Sequence, residues 1–149
     1  MDRHTSVSKT FFLGHILEEN LFPFPGQVEA RSETLKLVLD SLESFLAEHD
    51  ELHKKFDVEG AQSKEYINQL KELGLFSLII AEEYGGIGFN SREYARVVEQ
   101  IARHDGSTTL TVAAHSSIGM KGLLLFGNEE QKKRYLSKLA TGEMIAAFC

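Results

Sequence analysis

Gly85, Gly86 and Gly88 stand in the run GGIGF, after the apolar stretch LFSLII and before a helical pattern that begins near Ser91. A glycine loop in that position can cradle a phosphate, because glycine lets backbone N–H groups approach an anion and the next helix offers its positive end. The detail departs from that chemistry. Counted from Gly86 the spacing is Gly-Ile-Gly-Phe-Asn-Ser, without a third glycine, and Glu82 and Glu83 would repel an anion. A tight turn with positive φ is the expected role.

His49 and His53 are four apart and could share a helix face as metal ligands, but their surroundings are polar and no third ligand stands near. A solvated surface pair is expected, and no metal. His15, His104 and His115 are isolated, and nothing brings them to the single thiol, Cys149. A free thiol without activation is a poor nucleophile. Neither Gly-x-Ser-x-Gly nor His-Glu-x-x-His occurs.

The most informative positions are Ser116, Gly119 and Gly122, spaced by threes in a stretch that reads as one long buried helix, 107–126. Each glycine inside a helix costs about 1 kcal/mol relative to alanine. Two readings account for the small-residue strip: close packing of another helix, or one wall of a slot for a long thin ligand.

The elements that must position these residues are helical. Leu35, Val38, Leu39, Leu42, Phe45 and Leu46 recur at threes and fours over 31–48, with Ser32 as N-cap and Glu43 and Glu48 on the wet side. HDELHKKFDVEGAQ reads as a polar connector. Ser63 opens a helix that buries Tyr66, Ile67, Leu70 and Leu73 and stops at Gly74. LFSLII is expected as a short buried strand or an extended core segment. Ser91 is expected to cap a helix with Tyr94, Val97, Val98 and Ile101 inward, ended by Gly106. Asn128 and Gln131 make a capping box for a last helix that buries Leu136 and Leu139 and stops at Gly142.

At the front, TFFLGHILEENL (10–21) carries one short apolar stripe, and FPFPG then blocks helix. Residues 1–27 read as an extended N-terminal arm or a partly ordered tail. Residues 28–144 form an all-α helical bundle of about five helices. Ile145–Cys149 read as the start of a buried strand, the first residues of a following β-domain.

The net charge of −6 and the lack of a clustered basic face exclude a nucleic-acid partner. One cysteine allows no internal disulfide. No apolar run approaches the roughly 18 residues of a membrane span, and the first residues lack the pattern of a secretory signal. A cytoplasmic location is the expectation.

The segments LKELGLF, EEYGGIGF, AAHSSIGMKGLLLFGNEEQKKRYLSKLATGE and IAAFC occur in the order and spacing of acyl-CoA dehydrogenases, and the chain resembles the N-terminal part of that family. The arm FFLGHILEENLFPFP and the helix AHSSIGMKG are most similar to its very-long-chain branch. The resemblance implies oxidation of a long-chain acyl-CoA to the trans-2-enoyl-CoA. A glutamate takes the α-proton, and FAD receives the β-hydrogen as hydride at N5. Electrons then pass to an electron-transfer flavoprotein, and the assembly is a homodimer or homotetramer.

The resemblance further implies that Phe148 and Cys149 match the first positions of a flavin-holding strand. It implies that the helix of Ser116, Gly119 and Gly122 borders the acyl-chain tunnel. The family's catalytic glutamate matches no position here, so no catalytic residue is assigned, and the chain is expected to be the front of a longer flavoenzyme. The alternatives are a non-catalytic helical module that binds acyl-CoA or a partner, and an acyl-CoA oxidase or nitroalkane-type relative that uses oxygen as acceptor.

Overall fold

The computed structural model describes residues 7–16 and 33–147 and divides the chain into two units, 1–32 and 33–149. The expected N-cap Ser32, most of the arm, Phe148 and Cys149 lie outside the described residues.

In the first unit the helix is α1, Val7–Phe12, which overlaps the stripe expected over 10–21 only at its end. It stops sooner than its pattern suggested. Gly14 takes φ +76°, and the amide of His15 turns back to the carbonyl of Thr10 at 2.9 Å.

The second unit begins with α2, Glu33–Glu48, whose heptad-like leucines bury Leu35, Leu42 and Leu46. The expected polar connector is instead a helix, α3, Asp50–Glu59, closed by Gly60 at φ +68°. Its buried residues are His53 and Phe56. A histidine at an inward position hides the apolar stripe, which is why the segment reads as solvated.

Helix α4, Lys64–Glu72, starts where Ser63 Oγ accepts the amide of Tyr66 at 3.2 Å, and Gly74 follows its end at φ +73°. Beyond it LFSLII is buried but is not a strand. It closes on itself in successive turns, Ser77 N to Gly74 O at 3.0 Å and Ile80 N to Ser77 O at 3.1 Å. No strand occurs among the described residues.

Helix α5, Ser91–Ala102, is capped one residue before Ser91, by Asn90, with Glu93 completing a capping box. Gly106 does not end α5. It opens α6, Gly106–Ala114, whose N-cap Asp105 accepts the amide of Thr108 at 2.6 Å. The long helix expected over 107–126 is broken. A π-turn at His115–Gly119 separates α6 from α7, Lys121–Phe126. Helix α8, Glu129–Ala140, has the expected Asn128–Gln131 capping box and stops at Gly142, φ +70°.

The helices enclose a larger core and a smaller one. The larger joins α2–α6 through Leu42, Leu46, Tyr66, Leu70, Phe76, Val97, Ile101 and Val112. The smaller gathers Ile80, Met120, Leu136, Leu139 and Ala140 around α7 and α8. All of this bears out the helical-bundle expectation, with more and shorter helices.

One polar tie stitches three helices of this unit. His104, just past α5, sits between Glu43 of α2 (3.2 Å) and Asp50 of α3 (3.3 Å). Burial works to lower its pKa, but the hydrogen bonds and charges of the two carboxylates outweigh that and raise it. A raised folded-state pKa stabilises fully below the ordinary histidine range, and the gain is lost as pH rises through the folded value. Both carboxylates are half-exposed, so the contribution is about 0.5 kcal/mol, the scale of a surface pair. Urea melts of wild type and His104→Gln should show a stability difference near pH 5.5 that shrinks by roughly that amount above pH 8. A difference that grows with pH would overturn the assignment.

Candidate functional site

In the glycine run Gly85 and Gly88 take φ +84° and +75°. Gly86 has an ordinary φ, but a Cβ there would lie 1.9 Å from the carbonyl oxygen of Ile80. The amides are all engaged by backbone: Gly85 to Glu82 O, Gly86 to Ala81 O, Ile87 to Ser77 O, Gly88 to Ile80 O and Phe89 to Leu78 O, at 2.8–3.1 Å. None is left for an anion, so the run is a turn docked on the preceding segment and not a phosphate cradle.

His49 and His53 have different partners. His49 Nδ1 donates to the carbonyl of Phe45 at 2.7 Å. His53 is buried, not on the solvated surface expected for it, with Nε2 2.8 Å from the Tyr66 hydroxyl. Burial lowers its pKa. No metal-holding group of acidic, histidine or cysteine side chains occurs among the described residues.

The break between α6 and α7 is where local structure and site coincide. Ser117 Oγ donates to the carbonyl of Ala113 at 2.5 Å, the backbone competition that serines bring to helix interiors. The turn widens, and the amide of Met120 reaches the carbonyl of His115 at 3.1 Å, one residue further than an α-helix allows. Wide turns of this kind recur where a helix must present something. Here it presents His115 inward, fully buried.

The imidazole of His115 has both nitrogens occupied. Nε2 is 3.1 Å from the carbonyl oxygen of Phe76, and the amide of Ala146 donates to Nδ1 at 3.0 Å. A ring that accepts at Nδ1 carries its proton on Nε2, so Nε2–H donates to Phe76 and the neutral tautomer is fixed. Burial lowers its pKa against the pull of the Phe76 and Leu139 carbonyls, and the Phe76 ring stands edge-on to it at 4.9 Å. Composition gave no sign of this role. The one signal was a histidine set among small residues in AAHSSIG.

The three small residues of the same stretch have different surroundings. Ser116 is fully buried, and its hydroxyl makes no hydrogen bond of normal geometry. The Tyr94 hydroxyl is near enough to feel it, since burial raises the Tyr94 pKa and Ser116 opposes the rise. Gly119 lies beneath Ala146, where a Cβ would meet Ala146 Cβ at 2.6 Å and its carbonyl group at 2.8 Å. Gly122 is exposed on α7, with nothing within 4 Å of where a Cβ would sit. The π-turn thus brings His115, Gly119 and Ala146 together and turns Ser116 and Gly122 to other surroundings. Ile145–Ala147 follow α8 without forming a strand.

Among the described residues no helix is long and apolar enough to cross a membrane. Residues 32–143 match the family model for the acyl-CoA dehydrogenase N-terminal domain. The chain is 40% identical to the human very long-chain specific acyl-CoA dehydrogenase, mitochondrial, over 95% of its own length and 22% of the relative's. It is 36% identical to a probable acyl-CoA dehydrogenase of Bacillus subtilis, over 91% of this chain and 23% of that one. Its fold superposes with TM-score 0.63 on the crystal structure of an acyl-CoA dehydrogenase complexed with FAD from Bacillus anthracis, 36% identical, covering 80% of this chain and 20% of that one. The chain therefore spans about a fifth of the length of these relatives, and over that span its matched domain, its helical architecture and its sequence all make it a member of the acyl-CoA dehydrogenase family, carrying the family's N-terminal helical domain.

Proposed function

We propose that this chain is the N-terminal helical part of an FAD-dependent acyl-CoA dehydrogenase that oxidises long-chain acyl-CoA to trans-2-enoyl-CoA in fatty-acid β-oxidation. It passes electrons to an electron-transfer flavoprotein, as a homodimer or homotetramer. The observation that carries the reading is coverage: very long-chain specific relatives match 95% or more of this chain. FAD, when bound, supplies the hydride acceptor. This chain's own contribution to holding it is proposed for Phe148 and Cys149, reached through the seated residue Ala146; the glycine turn, with every amide taken, does not fit that role. The compartment is part of the proposal as well: the relatives named mitochondrial weigh against the cytoplasm expected from the first residues.

The test is anaerobic addition of palmitoyl-CoA to the FAD-loaded full-length protein. Bleaching of the flavin, with reoxidation by electron-transfer flavoprotein, is the expected result. A protein that binds no FAD, or a flavin that palmitoyl-CoA leaves oxidised, would refute the reading. Rapid reoxidation by oxygen with peroxide release would make it an oxidase.

Of the three small residues expected to border an acyl slot, Ser116 is buried and Gly119 is covered by Ala146, so the slot is proposed to pass the open face at Gly122. A side chain there meets open space, and it replaces a helical glycine, so Gly122→Leu should fold at least as well as wild type. If the acyl chain passes this face, the palmitoyl-CoA to butyryl-CoA ratio of kcat/KM should fall about tenfold or more. An unchanged ratio would remove Gly122 from the slot.

A further inference from the structure

We propose that His115 is a positioning residue: its Nδ1, acting with the bare backbone of Gly119, fixes the path by which the chain leaves α8 toward Phe148 and Cys149. The inference rests on the reading that those two residues belong to a flavin-holding segment.

Independent observations converge on one residue, Ala146. Its amide is held by Nδ1 of His115 at 3.0 Å. Its Cβ and carbonyl occupy the space that any side chain at Gly119 would need. Ala146 also packs on the smaller core formed by Ile80, Met120, Leu136, Leu139 and Ala140. Among the described residues, the bond to His115 is the hydrogen bond that Ile145–Ala147 make. Without it the run would hang on side-chain packing alone, with Ile145 and Ala147 exposed.

The ring that holds Ala146 is fixed, because its opposite nitrogen is anchored to the Phe76 carbonyl and the Phe76 ring packs perpendicular to it at 4.9 Å. Phe76 follows α4, His115 joins α6 to α7, and Ala146 follows α8, so the imidazole is a strut between parts of the chain far apart in sequence. A core histidine that served stability alone would need only partners. This one, paired with a glycine spaced to receive the same residue, sets direction. The π-turn makes the seat by placing His115 and Gly119 on the side that meets Ala146. That also explains a glycine in a helical stretch without appeal to a ligand.

The amide isosteres separate the two bonds of the ring. In His115→Asn the shorter side chain puts an acceptor near the place of Nδ1. In His115→Gln the longer one reaches toward Phe76 and leaves Ala146 unheld. In the full-length protein His115→Gln should weaken FAD binding about tenfold, the scale of one lost hydrogen bond, and should speed deuterium exchange at the Ala146 amide. His115→Asn should restore both to within about threefold of wild type. Gly119→Ala, which crowds the seat with His115 intact, should show the same weakening and serves if His115→Gln does not fold.

Equal impairment of the Asn and Gln variants in FAD affinity and in melting temperature would make His115 a structural residue only and overturn the proposal. So would FAD binding and Ala146 exchange left unchanged in His115→Gln. If the wild-type protein binds no FAD, the flavoenzyme reading has failed, and the exchange difference between the two variants still decides whether His115 places Ala146.

Discussion

Gly86→Ala is expected to lose about 3 kcal/mol or more, enough to take a large share of a stability that for such domains is typically about 5–15 kcal/mol. The added Cβ would fall 1.9 Å from the carbonyl oxygen of Ile80, 2.4 Å from its carbon and 2.6 Å from its Cβ. These are backbone and near-backbone atoms, so no rotamer change relieves the contact. Relief requires the loop to lift away. Lifting breaks the ladder that Ile87, Gly88 and Phe89 make with Ser77, Ile80 and Leu78, and draws Phe89 out of the core. The cost is steric and does not depend on positive φ, since Gly86 has none. Gly106→Ala is the matched control. It lies at the first position of α6 with nothing within 4 Å, and should be neutral or slightly stabilising. Thermal melts decide: a Gly86→Ala melting temperature within a few degrees of the control would refute the close approach, since each kcal/mol moves a small domain by roughly 4–8 °C.

How much of this was legible in the sequence follows from how local each signal is. The Asn128–Gln131 box, the Ser63 cap and the stops at Gly74 and Gly142 are short-range chemistry, and they stand where the residues place them. Asn90 was readable too, because Glu93 lies three residues after it. Ser91 is an equally good cap type and competes for the same role. Gly106 misled because a glycine after a helix reads as a stop, whereas Asp105 before it was the stronger start signal. Helix α3 escaped because its inward positions are His53 and Phe56, so its periodicity depends on a polar residue whose partner, Tyr66, is supplied by another helix. The π-turn was not legible at all. Residues 107–126 mix small, hydroxyl and apolar side chains without a sharp period, so an extra residue in one turn leaves no break in the pattern. Ser117 bonds back to Ala113 within the turn, but the residue the turn receives is Ala146, some thirty positions on, and such a contact has no signature in spacing.

Tyr66 shows what that long-range chemistry is worth. It is fully buried and belongs to α4, yet its ring meets Phe45 of α2 at 5.7 Å and Phe56 of α3 at 5.1 Å, with His53 edge-on at 5.5 Å. Its hydroxyl lies 2.8 Å from His53 Nε2 and 3.0 Å from Thr108 Oγ1 of α6. Burial pushes its pKa up to about 12 against the opposing hydrogen bond to Thr108, so the phenol is neutral throughout the physiological range. Thr108 is in turn fixed by Gln62, which donates to its hydroxyl at 3.0 Å, and by Asp105, which caps its amide. One side chain thus joins four helices, α2 and α3 through ring contacts and α3 and α6 through hydrogen bonds. Tyr66→Ala should cost about 3–5 kcal/mol, the range for emptying a buried aromatic site. Tyr66→Phe keeps the rings packed and removes only the hydroxyl, leaving His53 Nε2 without its partner and Thr108 Oγ1 with only the bond from Gln62, at about 1–3 kcal/mol. Urea unfolding of the pair separates packing from hydrogen bonding. The order Ala worse than Phe, and Phe worse than wild type, is required. A Phe variant as stable as wild type would mean that the hydroxyl network contributes nothing, and that the aromatic cluster alone holds α2, α3, α4 and α6 together.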